Sequence, residues 1–191
     1  MVGTQIIEIS GSWTQAVGTI LAAIGSTPSF YLPKEVNKQL RIVGNALQAL
    51  GNAIQAAGSP TITLESTGNS IQVVGNLTVI YGIVADLPDV KKQEFQIAGN
   101  WLQALGALLA VFEQIQNLRE EFLNVLGNTL QTWGNSLQAI GGILGLQGDQ
   151  VTSTNLGVNG SWIQALGSVF TAVGTSVPKQ NNDEDEDGEN S

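Results

Sequence analysis

The sequence predicts an all-α fold: six helices of roughly 22 residues, paired as sequential antiparallel hairpins in a glycine-seamed compact bundle, with a short α-solenoid as the alternative. Three observations lead there. A fifteen-residue motif recurs six times, at 11–25, 44–58, 68–82, 99–113, 127–141 and 160–174. Within it the apolar positions are 4, 7, 11 and 14, as in Leu47, Leu50, Ile54 and Ala57, which is the spacing of one helix face. Proline or polar breakers stand between the copies.

Taken in chain order, the first unit carries Ile7 four residues ahead of its opening glycine, and each later unit has an apolar residue at the same place (Leu40, Leu64, Phe95, Leu123, Leu156). Pro28 and Pro33 separate the first unit from the second, which is rich in the strong helix formers Ala and Leu. Ser59 and Pro60 precede the third. With Ile71, Val73, Val74, Val79 and Ile80 it is the most β-branched unit and the weakest helix by composition. Pro88 precedes the fourth, suited to a first helical turn where its missing N–H has no intrahelical role. No proline lies between the fourth and fifth units. Asn117 to Glu120 reads there as a capping box and places a tight turn near Asn117. The stretch from Gly148 to Gly157 reads as a polar loop before the sixth unit, and Pro178 closes it. One repetitive helical domain, 1–178, is therefore expected, followed by an acidic tail at 179–191 that cannot bury apolar surface and should be disordered.

Glycine sits at the first and eighth position of every unit: Gly11, Gly18, Gly44, Gly51, Gly68, Gly75, Gly99, Gly106, Gly127, Gly134, Gly160 and Gly167. A fifteenth-position glycine follows in all units but the fourth, where Glu113 stands and puts tight packing in doubt. A helical glycine costs roughly 0.8–1 kcal/mol relative to alanine, so a repeated one needs a compensating contact. The expected compensation is a structural seam along which two helix backbones approach closely. The fifth position is always glutamine (Gln15, Gln48, Gln72, Gln103, Gln131, Gln164), expected to hydrogen-bond a neighbouring helix or its backbone at that seam. Trp13, Trp101 and Trp162 share the third position and read as amphipathic edge residues.

Composition excludes several kinds of chemistry. The chain has no cysteine and no histidine, hence no thiol nucleophile, imidazole ligand or Ser-His-Asp triad. Its glycines are spaced rather than clustered, so no phosphate loop forms. The body acids are scattered: Glu120 and Glu121 beside Arg119 read as capping and surface pairs, and Glu35, Lys38 and Arg41 as helical ion pairs. No catalytic, cofactor-binding or metal-binding residues emerge, and no cofactor is expected. A net charge of −9 argues against nucleic acid as a partner. No small-molecule ligand is legible.

Charged residues make up only 12% of the chain, and each unit lies in a charge-free window of roughly membrane-spanning length. Each window also carries Asn, Gln, Ser or Thr on one face, and mean hydropathy is only +0.12. A soluble bundle is therefore the expectation, its surface neutral and rich in Asn, Gln and Ala. Such a face invites self-association, which leaves a homo-oligomer as the expected partner state. Membrane contact, through a membrane-active or interfacially bound amphipathic protein, is the alternative. With no basic, apolar leader at the N-terminus, a cytoplasmic location is expected.

The six Gly-(Asn/Ser)-x-(Leu/Ile/Thr)-Gln-x-x-Gly units, over roughly 4–177, resemble small glycine-heptad repetitive proteins of spore-forming bacilli, a family of unknown function. The resemblance implies no activity and assigns no functional residue; it implies a spore-associated location as the alternative to a cytoplasmic one. The expected role is a non-enzymatic structural or interaction protein.

Overall fold

The structure is a computed structural model and describes residues 2–177; the side chains of Val2 and Thr4 are not among the described parts. The expected acidic tail, 179–191, lies outside the described residues. The helices are α1 (Val2–Ser26), α2 (Lys34–Gly58), α3 (Leu64–Val84), α4 (Asp89–Gln114), α5 (Leu118–Leu146) and α6 (Gln150–Ser176), and the described residues contain no strand. The β-branched third unit is helical, its start held by a capping box between Thr63 and Ser66.

The expectation of six separate helices needs correction, because the continuous helical stretches number five. A 3-10 turn, Ile115–Asn117, joins α4 directly to α5, so that Asp89–Leu146 runs without a non-helical residue. Between Gly106 and Gly127 the sequence offers neither glycine nor proline, and the direction changes instead at Asn117, with φ −120° and ψ 46°. Asn117 makes no side-chain cap bond, so the capping box expected there does not form. A second correction concerns the polar loop expected from Gly148 to Gly157. Helix α6 already starts at Gln150, because the Asp149 side chain accepts from the Thr152 N–H and caps it.

Each helix packs on its chain neighbours, and α1 closes on α6, giving a ring of three tight hairpins: α1/α2, α3/α4 and α5/α6. The glycines fix their direction. Gly11 meets Gly51 and Gly18 meets Gly44; Gly68 meets Gly106 and Gly75 meets Gly99; Gly127 meets Gly167 and Gly134 meets Gly160. As one index rises by seven the other falls by seven, so each pair is antiparallel. A Cβ added at any of these twelve positions would stand within 2.8 Å of the partner glycine's carbonyl oxygen, closer than any real side chain stands. The backbones therefore touch where alanine would hold them apart.

The interior is the reverse of a soluble bundle. Among the described residues, the buried apolar side chains are ten alanines and Val79, whereas 22 buried side chains are polar. Motif positions 2, 5 and 9 turn inward, for example Asn45, Gln48 and Asn52 on α2. The apolar stripe turns outward. Its seventh position is the most open: Leu50 is 52% exposed, Val74 55%, Leu105 47% and Leu166 51%, while the fourth and eleventh positions, such as Leu47 and Ile54, are half-buried. The expected Asn/Gln/Ala surface is thus corrected: the Asn and Gln faces fill the bundle, and Leu, Ile, Val and Trp clothe it.

Candidate functional site

The axis of the ring is built from one side chain per helix turn. Residues three or four apart share a helix face, so each recurring glutamine has a polar or small residue above and below it. Ser12, Gln15 and Thr19 do this on α1, Asn69, Gln72 and Asn76 on α3, and Asn128, Gln131 and Asn135 on α5, all buried. The glutamines sort by helix direction. Gln15 of α1 donates from Nε2 to Oε1 of Gln131 on α5 (2.8 Å) and of Gln72 on α3 (3.4 Å). Gln164 of α6 donates to Gln48 of α2 (2.8 Å) and Gln103 of α4 (3.1 Å). Odd-numbered helices thus supply one amide triad and even-numbered helices the other. This arrangement follows from geometry: helical side chains lean toward their own N-terminus, so antiparallel neighbours send equivalent residues in opposite directions.

Further amides and hydroxyls extend these triads. Gln55 donates to Gln15 (3.2 Å), Gln138 to Gln164 (2.9 Å), and Gln131 to the Thr171 hydroxyl (3.1 Å). The hydroxyls of Thr19 and Ser168 share a hydrogen bond between α1 and α6. Three buried amides are left short. Neither the nitrogen nor the oxygen of Asn52 or of Asn135 has a partner, and Oδ1 of Asn76 has none. These three side chains are at most 1% exposed.

The axis opens at each end into a polar cavity. One, of about 560 Å³, is lined by Glu8, Glu65, Asn69 and Glu121 from the N-terminal ends of α1, α3 and α5 and by Gln55 and Thr175 near the C-terminal ends of α2 and α6. The other, of about 580 Å³, is lined by Arg41, Lys92, Gln93, Asn100, Gln138 and others at the opposite end. Arg41 donates there to Gln96 of α4 rather than pairing along its own helix with Glu35, while Lys91 pairs with Glu94 (2.6 Å). Among the described residues, every Lys and Arg but Arg119 lies at the Arg41 end: Lys34, Lys38, Lys91 and Lys92 stand on the first turns of α2 and α4. Glu113, at the position where the other units carry glycine, accepts from the backbone N–H of Glu65 (2.6 Å) and so caps α3 from a neighbouring helix. Among the described residues no group of three acids could hold a metal ion.

The sequence singled out the twelve glycines and six glutamines. It gave no sign that Asn52 and Asn135 lack partners at both ends and Asn76 at its oxygen; their ninth-position place in the motif was the available signal. Trp13 and Trp162 lie at hairpin boundaries, donating to the hydroxyls of Ser176 and Thr27.

A family model described as a family of unknown function (DUF6944) matches residues 6–172. The chain belongs to this family. The match takes in all of the six repeat units but the last two residues of the sixth. No curated protein and no solved structure matches the chain. Membership names the lineage without naming a reaction, so the geometry carries the functional reading.

Proposed function

We propose that the protein is a non-enzymatic helical bundle whose working solvent is lipid: a membrane-resident structural protein with a polar axis. The observation that carries this reading is the inverted distribution of side chains. Water-driven folding buries large apolar groups, and here the buried apolar set is alanine with one valine. Large apolar side chains stand exposed on all six helices, among them Val17, Leu50, Leu77, Leu105, Trp133 and Leu166. A second copy of the chain could cover one side of such a ring; a bilayer covers all of it. Between Glu94 and Glu113 the charge-free part of α4 is 18 residues long. That is about 27 Å of helix against a hydrocarbon core of about 30 Å. That segment belongs to Asp89–Leu146, the one stretch among the described residues that is long and apolar enough to cross a membrane by length and composition. Small residues at helix contacts and amide bonds between helices are the means by which helices associate in lipid, where apolar burial gives no drive.

The test is flotation of the full chain with phosphatidylcholine–phosphatidylglycerol vesicles. The protein is expected to float with the vesicles and to stay with them through a molar-salt wash. A detergent-free, monodisperse species that remains at the bottom of the gradient overturns the reading. Discrete oligomers in the same fraction would favour self-association through the apolar exterior instead.

A further inference from the structure

We propose that the bundle axis is a gated route for water and small uncharged polar solutes, with the two glutamine triads as its gate; this rests on the lipid-solvated reading above. Polar cavities of about 560 and 580 Å³ enter the ring from opposite ends. Between them the buried polar side chains are amides and hydroxyls, with no charged group among them. A lining of this kind can exchange hydrogen bonds with a neutral solute. It carries no formal charge to offset the cost of desolvating an ion, so a neutral solute passes more readily than an ion of either sign.

The second observation is independent of the cavities. Asn52 and Asn135 hold fully buried amides with neither end partnered, and Asn76 has a partnerless oxygen. Buried polar atoms left without protein partners are the places where internal water binds. Each lies one helical turn beyond a triad glutamine: Asn52 beyond Gln48, Asn76 beyond Gln72 and Asn135 beyond Gln131. The partnerless amides thus flank the gate. The gate itself is held by hydrogen bonds between side-chain amides, Gln15 donating to Gln131 and Gln72, and Gln164 to Gln48 and Gln103. Glutamine has flexible torsions, so the axis can open by side-chain rotation while the glycine seams hold the backbones in place.

The experiment uses full-chain proteoliposomes and stopped-flow light scattering, with sucrose shock for water and glycerol or urea gradients for solute. Vesicles carrying the protein are expected to shrink several-fold faster than empty vesicles, with ion leak, read by a potential-sensitive dye, unchanged. Gln131→Ala should raise the water rate and Gln131→Leu should lower it, with far-ultraviolet circular dichroism confirming that both remain helical. Should a variant lose its helical signal, Asn135→Leu replaces it: dry and apolar at a flanking position, it should also slow the wild-type rate. Helical protein that floats with vesicles yet leaves permeability at the empty-vesicle rate, in wild type and Gln131→Ala alike, overturns the route and leaves the lipid reading standing. Ion leak rising in step with water overturns the stated selectivity. Protein that does not float overturns the lipid reading, and the route falls with it.

Discussion

Gly18 and Gly157 are both helical glycines, and alanine should move the stability of the protein in opposite directions at the two. At Gly18 an added Cβ would sit 2.6 Å from the carbonyl oxygen of Gly44 and 2.7 Å from the backbone nitrogen of Gln48, and neither backbone can yield without opening the hairpin. Overpacking of this kind costs roughly 1–3 kcal/mol, so Gly18→Ala, and likewise Gly51→Ala, should lower the thermal midpoint. At Gly157 nothing lies within 4 Å, and alanine there should raise stability by about 0.4–1 kcal/mol. Gly148 supplies the control that separates space from backbone. It too has nothing within 4 Å, but its φ is +97°, so alanine should destabilise it in open space. Melting all four variants in one detergent checks the set; equal gains at Gly18 and Gly157 would refute close backbone contact. The seven-residue spacing made Gly18 and Gly51 visible in the sequence and left Gly148 and Gly157 outside its register. What it could not show was pairing, because Gly11 meeting Gly51 rather than Gly44 depends on where the α1/α2 turn falls.

Helix ends were harder to read than helix bodies. The place of the turn near Asn117 was legible, but its continuous 3-10 form and the early start of α6 escaped the sequence, because each depends on one residue's local bonding rather than on periodicity. Asp149 illustrates this. Hydrogen bonds from Thr152, side chain first and then backbone, hold its carboxyl below the ordinary aspartate pKa. A carboxyl depressed in the folded state stabilises above its unfolded pKa, and that contribution fades as pH falls through the folded value. Acidification below the ordinary aspartate range should therefore lower the protection of the Thr152 amide, read as its exchange rate relative to the intrinsic rate at the same pH. Asp149→Asn, which caps without titrating, should flatten that response. Glu113 is the second case. Its departure from the glycine register looked like a packing fault, yet its carboxylate receives the Glu65 N–H at the start of α3. Glu113→Ala should cost about 0.5–2 kcal/mol, the usual worth of a lost N-terminal cap, and the loss should appear as faster exchange at the Glu65 amide. A Glu113→Ala variant as stable as wild type, with Glu65 still protected, would show that the contact contributes nothing.

At the scale of the whole molecule, the all-α class and the helix faces were legible, and the direction in which those faces turn was not. An amphipathic helix announces two faces, and periodicity is silent about which solvent each one meets. The apolar positions of the motif, such as Leu50 and Leu166, have the same spacing whether they line a core or a lipid boundary. The deciding facts are steric and lie between helices: backbones brought together by glycine leave room along the axis for Asn, Gln, Ser and Thr, and the larger apolar groups are driven out. The tryptophans allow this inversion to be measured without any substitution. Trp13, Trp101, Trp133 and Trp162 are 43%, 42%, 66% and 38% exposed, one each on α1, α4, α5 and α6. All four therefore report on the outer surface. In vesicles containing brominated phosphatidylcholine their fluorescence should be strongly quenched, and aqueous iodide should reach them poorly. A soluble bundle, or one lying on the membrane surface by a single face, presents most of these rings to water. It would give the opposite pattern, strong iodide quenching with little effect of bromine. Because the rings stand on four of the six helices, partial immersion would also be visible, as a mixture of bromine-quenched and iodide-quenched populations; complete bromine quenching requires lipid on every side that carries a tryptophan.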